Sequence, residues 1–223
     1  MELKSTAKIN IGLHVYNKRQ DGFHNIATIF QEINFFDIIN IREAKNFSCK
    51  TSTGQIKQED NFSTKAFNLI KEAFPHIPNV DIDIQKNIPT NAGLGGGSSN
   101  GTSVLRGLNT FFDLSLNNEE LSKFASKVSS DSTFFVNGGL QLGTKKGEEL
   151  IPILETEIPK HILLVYPNIK ISTKDAFKQL KNHLLNENMD INLSHLLKEL
   201  KNNNFDSKLF KNDFEMYVFE THP

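Results

Sequence analysis

Tryptophan is absent from this 223-residue chain, and cysteine occurs once. A single cysteine, Cys49, cannot close an internal disulfide, which fits a reducing compartment. No run approaches 18 apolar residues, so no membrane-spanning helix is expected. The opening Met1-Glu2-Leu3-Lys4 is charged and lacks the apolar core of a signal peptide, so the expected location is the cytoplasm. An excess of charge is also missing: 25 basic residues face 26 acidic ones, for a net charge of -1. That balance excludes a strong chain-wide attraction to nucleic acid or to an anionic membrane. The histidines are scattered, with no H-E-x-x-H and no Cys/His spacing suited to zinc, so no metal cluster is read. There is no internal repeat and no Pro-rich or Gly/Ser-rich linker. At about 150 residues per domain, the length allows one large domain or two modest ones.

Alternation marks the first segment. Ala7, Ile9, Ile11, Leu13 and Val15 share one face, and Lys8, Asn10 and His14 the other, which predicts a half-buried strand. Asp21-Gly22 signals a turn. Ile26 to Ile33 and Asp37 to Arg42 then read as two further strands of an antiparallel set. The apolar stripe Phe62, Ala66, Leu69, Ile70 and Phe74 predicts a helix over 61–73. Val80, Ile82 and Ile84 alternate as a strand ending near Lys86. A helix over 98–112 follows, and Asn117 with Glu120 forms a capping box for another to about Val128. Two strands flank a turn at Lys145 to Gly147. Beyond a composition shift near Pro159, His161 to Tyr166 reads as a buried strand. Ser172 with Asp175 would cap a helix, and 192–200 reads as one more. A boundary near 157 separates domains 1–157 and 158–223.

The richest signal is the stretch Ile88-Pro89-Thr90-Asn91-Ala92-Gly93-Leu94-Gly95-Gly96-Gly97-Ser98-Ser99-Asn100-Gly101. Glycine costs roughly 0.5–1 kcal/mol more than alanine to order, so four in five positions need a reason. Positive φ, or close approach of a ligand to the main chain, supplies one. The loop runs into a helix, whose first N–H groups and partial positive charge suit a polyphosphate, with Ser98 and Ser99 as further donors. A plain surface loop before a helix is the competing reading. No Gly-Lys-Ser/Thr follows, so this is not a Walker A loop, and Ser98 interrupts a G-x-G-x-x-G fingerprint. Gly97-Ser98-Ser99-Asn100-Gly101 fits the G-x-S-x-G nucleophile elbow, but the dozen residues from Lys86 to Ser99 are too many for a sharp strand-to-helix turn.

Pro89 with Gly93-Leu94-Gly95-Gly96-Gly97-Ser98-Ser99-Asn100 resembles the ATP-phosphate motif of the GHMP kinases. Three more segments resemble the branch of that family that phosphorylates 4-diphosphocytidyl-2-C-methyl-D-erythritol. They are Ala7-Lys8-Ile9-Asn10-Ile11 with Arg19-Gln20-Asp21-Gly22-Phe23-His24, then Asp131-Ser132-Thr133-Phe134-Phe135, then Asn212-Asp213-Phe214-Glu215. Three departures stand out. Ser129 replaces the usual glycine two residues before the aspartate, which weakens the expected backbone geometry there. Phe23 replaces a common tyrosine. The family also continues past the last segment to a second short glycine-rich loop, which the chain does not reach by Pro223.

The resemblance implies an α+β fold with two GHMP-kinase-like domains, ATP and substrate in the cleft between them, and an incomplete second domain. It implies transfer of the γ-phosphoryl group of ATP to the 2-hydroxyl of the cytidine diphosphate substrate, in isoprenoid precursor synthesis. Magnesium is implied by the chemistry of the phosphates. Asp131 would accept or orient the hydroxyl proton, with Lys8 beside it. Without the resemblance, Asp131 reads as a helix cap and Lys8 as a solvated strand lysine. Pro89, Thr90, Asn91, Ala92, Gly93, Leu94, Gly95, Gly96, Gly97, Ser98, Ser99 and Asn100 would hold ATP, with Asn61 and Lys86 near the adenosine. Asn10, Phe23, His24, Thr173 and Phe177 would hold the substrate, Phe23 and Phe177 stacking on cytosine; by pattern alone both are core residues. Two other outcomes stay open: a nucleotide-binding remnant without turnover, and a GHMP kinase for another small alcohol. A nucleic-acid-binding module of similar shape is disfavoured by the charge balance. Oligomeric state is not readable.

Overall fold

The computed structural model describes residues 1–54, 56–154, 161–167, 169, 171, 176–177, 180, 197–199, 202 and 210–222. The architecture is mixed α+β. Two compact units divide the chain: Met1–Ile9 with Glu32–Gly139, and Asn10–Gln31 with Leu140–Pro223.

Strands β1 (Glu2–Lys18) and β2 (His24–Ala44) pair with each other, and each contributes residues to both units. The expected turn joins them. Gly22 sits at φ +87, and Phe23 N–H donates to Asp21 Oδ1 at 3.1 Å. Hydrogen bonds from Arg19 hold the Asp21 carboxyl below its ordinary range.

The two strands expected over 26–33 and 37–42 are one continuous strand. Asn34-Phe35-Phe36 contains neither glycine nor proline, so nothing interrupts the extended chain. Its halves do take different partners. Ile29 lies opposite Leu142 of β5 (Leu140–Thr144), and Ile41 opposite Ile82 of β4 (Asn79–Gln85). In the first unit, β3 (Ser48–Thr51) runs parallel to β4, with Cys49 opposite Ile82. In the second, β5 pairs antiparallel with β6 (Glu149–Pro152) across the expected turn.

Three helices close the first unit's core: α1 (Phe62–Ala73), α2 (Gly96–Phe111) and α3 (Asn118–Val128). Phe67 and Ile70 of α1, Leu105 and Leu108 of α2, and Ala125 of α3 pack on Ile41 and Ile82 of the sheet. The Asn117–Glu120 capping box is formed in both directions. A short 3-10 turn, Ser130–Thr133, leads into α4 (Phe134–Asn137).

Cys49 is buried in this core, and burial pushes its thiol up to about 11. The thiolate is the reactive form, so at pH 8 only about a thousandth of Cys49 is competent even before access is considered. We expect a maleimide or disulfide probe to label the native chain slowly and the urea-unfolded chain at once. Equal labelling rates would contradict the buried thiol.

His161 to Tyr166 departs from the sequence reading. Among the described residues it takes no strand pairing, and 161–165 are exposed, Leu163 at 89%. An apolar run becomes a buried strand only where a neighbouring ladder accepts its backbone, and none is paired with it among the described residues. Ser172 and Asp175 lie outside the described residues, as does most of 192–200; 197–199 are helical. No described helix is long and apolar enough to cross a membrane.

Candidate active site

The glycine loop leaves β4 and turns three times through positive φ, at Asn91 (+59), Gly93 (+74) and Gly95 (+68). Gly95 caps α2 in the left-handed conformation. Its place is also tight: a Cβ there would stand 2.9 Å from the Phe135 ring and 3.1 Å from Lys8 Cγ. Gly93 meets nothing within 4 Å and is exposed, so its glycine answers to φ alone. Helix α2 starts at Gly96, two residues before the expected Ser98. Its first helical bond is Ser99 N–H to Gly95 O at 2.9 Å. The amides of Gly96, Gly97 and Ser98 precede that bond, so they are the free end of the helix and a favourable place for an anion.

Lys8 joins this loop to Asp131. Its N–H donates to Leu94 O at 3.0 Å, and its Nζ stands 3.6 Å from Asp131 Oδ2. The Lys8 side chain is 8% exposed, which removes the solvated-lysine reading; Asp131 is 36% exposed and within reach of a ligand. Asp131 lies in the 3-10 turn rather than at a helix N-cap.

Hydroxyls stitch that turn to α2. Ser129 Oγ donates to Ser98 Oγ at 2.8 Å and meets Ser132 Oγ at 2.7 Å. Thr102 Oγ1 donates to Ser132 O at 2.7 Å. Ser129 itself is extended, at φ -161 and ψ 167, a conformation open to any residue. The expectation that serine weakens the backbone before Asp131 is therefore corrected: no glycine is required there, and the side chain adds a tie.

Other expected ATP residues have partners inside the fold. Asn61 caps α1, its side chain accepting from Ser63 N–H at 2.9 Å. Ser99 Oγ accepts from Ser5 Oγ at 2.8 Å. Lys86 Nζ pairs with Asp37 and donates to Asn100 Oδ1 at 3.1 Å. Asp37 is the residue that sequence reasoning passes over. The available signal is an aspartate inside the apolar strand run Phe35 to Ile39.

In the second unit, the ring partner of Phe177 is His24, stacked at 5.1 Å and 10°. Phe177 also meets Phe214 edge-on at 4.9 Å. Phe23 stands apart from this stack and is 55% exposed, with the Lys146 ammonium 5.2 Å from its ring. Alternation explains the split, since consecutive residues entering a strand face opposite ways. Asn10 Nδ2 donates to Thr28 Oγ1 at 2.8 Å. Thr173 lies outside the described residues. The Asn212-Asp213 segment binds β1: Val15 N–H donates to Asp213 Oδ2 at 2.7 Å, and Leu13 bridges Asn212.

Comparison with known proteins decides the family. Residues 61–140 match the GHMP kinases N terminal domain. A 4-diphosphocytidyl-2-C-methyl-D-erythritol kinase from a Sulfurihydrogenibium species is 40% identical over 191 residues, 86% of this chain and 69% of that protein. The chain belongs to the GHMP kinase family. A second kinase of the same name, from Prochlorococcus marinus, is 36% identical over 98% of this chain and 74% of its own length. A crystal structure of 4-(cytidine 5'-diphospho)-2C-methyl-D-erythritol kinase has the same fold, with TM-score 0.80 and 24% identity over all of this chain and 79% of that one. This GHMP kinase is accordingly a small-molecule kinase.

Proposed function

We propose that this GHMP kinase transfers the γ-phosphoryl group of ATP to the 2-hydroxyl of 4-diphosphocytidyl-2-C-methyl-D-erythritol. The observation that carries the reading is the Lys8–Asp131 pair, 3.6 Å apart and tied to the glycine loop through Leu94. Phosphoryl transfer depends mainly on positioning and electrostatics. The acceptor hydroxyl gives its proton to the Asp131 carboxylate as its oxygen bonds to the γ-phosphorus. The bond from that phosphorus to the β-bridging oxygen breaks, and ADP leaves. Lys8 stabilises the charge on the oxygens and on the carboxylate.

The amides of Gly93 to Ser98 would take the phosphates, with Pro89 to Ala92 shaping the loop and Asn61, Lys86 and Asn100 on the adenosine side. Among the described residues no group of three or more His, Cys, Asp or Glu forms a metal cage. Magnesium, if it accompanies the nucleotide, would supply charge neutralisation at the phosphates. Asn10, Phe23, His24, Thr173 and Phe177 are the acceptor-side residues of the proposal, and its ATP-side residues lie in the unit formed by Met1–Ile9 and Glu32–Gly139. A cytoplasmic setting suits a chain whose one cysteine is a buried thiol.

The test is coupled release of ADP when the purified chain receives ATP and the cytidine substrate. We expect ADP in step with phosphorylated product. ADP only with a different alcohol would transfer the reading to another acceptor. ATP binding with no ADP under any acceptor would make the chain a nucleotide binder without turnover.

A further inference from the structure

We propose that Asp37 is a positioning residue for the nucleotide, its buried carboxylate clasping both ends of the glycine loop so that the loop amides are set before ATP arrives. The inference rests on the kinase reading above.

Asp37 is fully buried within β2, where an aspartate has little intrinsic reason to be. A carboxylate has about four acceptor sites, and here all are used. Oδ1 accepts from Asn87 N–H at 2.7 Å and from Ile88 N–H at 2.8 Å, the two amides where the loop begins. Oδ2 accepts from Asn100 Nδ2 at 2.9 Å, in α2 where the loop has ended, and pairs with Lys86 Nζ. Asn100 Nδ2 also reaches Ser5 Oγ at 2.9 Å on β1. One side chain thus fixes the entrance and the exit of the segment between Ile88 and Asn100.

A buried ion pair is weak evidence for stability, because desolvation offsets most of the attraction. What Asp37 adds that an apolar residue could not is geometry. It holds two main-chain donors and two side-chain donors from opposite ends of a loop with three positive-φ positions. Ordering such a loop on binding weakens affinity, and ordering it beforehand removes that cost.

The test is Asp37→Asn, which keeps the shape but replaces the charged acceptor. Two readouts separate positioning from general support: hydrogen exchange of the free protein, and KM for ATP against KM for the acceptor. Positioning predicts faster exchange at 87–98 with little change at β4 or α1. It also predicts a rise of roughly 10- to 100-fold in ATP KM, the worth of hydrogen bonds to a charged group, with the acceptor KM nearly unchanged. Exchange that rises evenly across the unit, or an ATP KM like the parent's, overturns the proposal. Should Asp37→Asn fail to fold, Asp37→Glu keeps the charge but displaces it, and the same two readouts decide. A parent chain that releases no ADP would remove the kinase reading, while the exchange pattern still judges the clasp by itself.

Discussion

Replacing Asp131 by alanine lowers the rate of phosphoryl transfer by about 10²–10⁴, the range for removing a positioned general base. The turn itself should hold, because its ties run through Ser129, Ser132 and Thr102. Loss of the carboxylate does remove one partner of the largely buried Lys8 ammonium, so some stability is lost as well. The rate is therefore compared at temperatures where both chains are fully folded, and kcat falls there. Asp131→Asn sharpens the test. It retains the shape and can still orient a hydroxyl, but it cannot take the proton. If Asp131 only orients, Asn recovers much of the rate; if it accepts the proton, Asn is as slow as Ala. A rate unchanged in both variants would remove Asp131 from the chemistry, and the Lys8 contact would then be a structural ion pair.

Much of this arrangement is legible in the sequence because it is local. The alternation that marks β1 as a strand, the Asn117 capping box and the Gly22 turn each depend on residues within one element, and the strand, the box and the turn are all formed. The glycine loop announces itself by composition. Features set by distant residues are not legible in the same way. Lys8 reads as solvated because alternation shows which face it is on, not what covers that face; the glycine loop and Asp131 turn lie against it. Asp37 carries no motif, and its partners are 49 to 63 residues away. Ser129 looks like a flaw beside its family until its φ is known. The exposed run at 162–165 misleads for the converse reason: four apolar residues look buried, yet burial depends on a ladder partner, and the run takes none among the described residues.

Gly95→Ala separates two reasons for a glycine, and its effect should be large on both stability and activity. The φ of +68 costs a residue with a side chain roughly 1–2 kcal/mol. The added methyl also meets Phe135 at 2.9 Å and Lys8 Cγ at 3.1 Å, an overpacking that typically costs about 1–3 kcal/mol. Relief has two routes. Phe135 can shift, but it is buried and packed edge-on against Phe134 at 5.0 Å. Lys8 can shift instead, which disturbs its 3.6 Å approach to Asp131. Tm should therefore fall by roughly 4 °C or more, and kcat should fall even at temperatures where the variant is fully folded. Gly97→Ala is the counterpart. Its methyl would meet only Phe62, at 3.4 Å, and no positive φ opposes it. Alanine favours a helix by about 1 kcal/mol over glycine, so this variant should be as stable as the parent or more so. The methyl nevertheless projects from the first turn of α2, beside amides assigned to the phosphates, and ATP KM should rise. A Gly97→Ala chain with raised stability and unaltered ATP KM would place the phosphates elsewhere, because a group lying on that helix end cannot ignore a new methyl in its path.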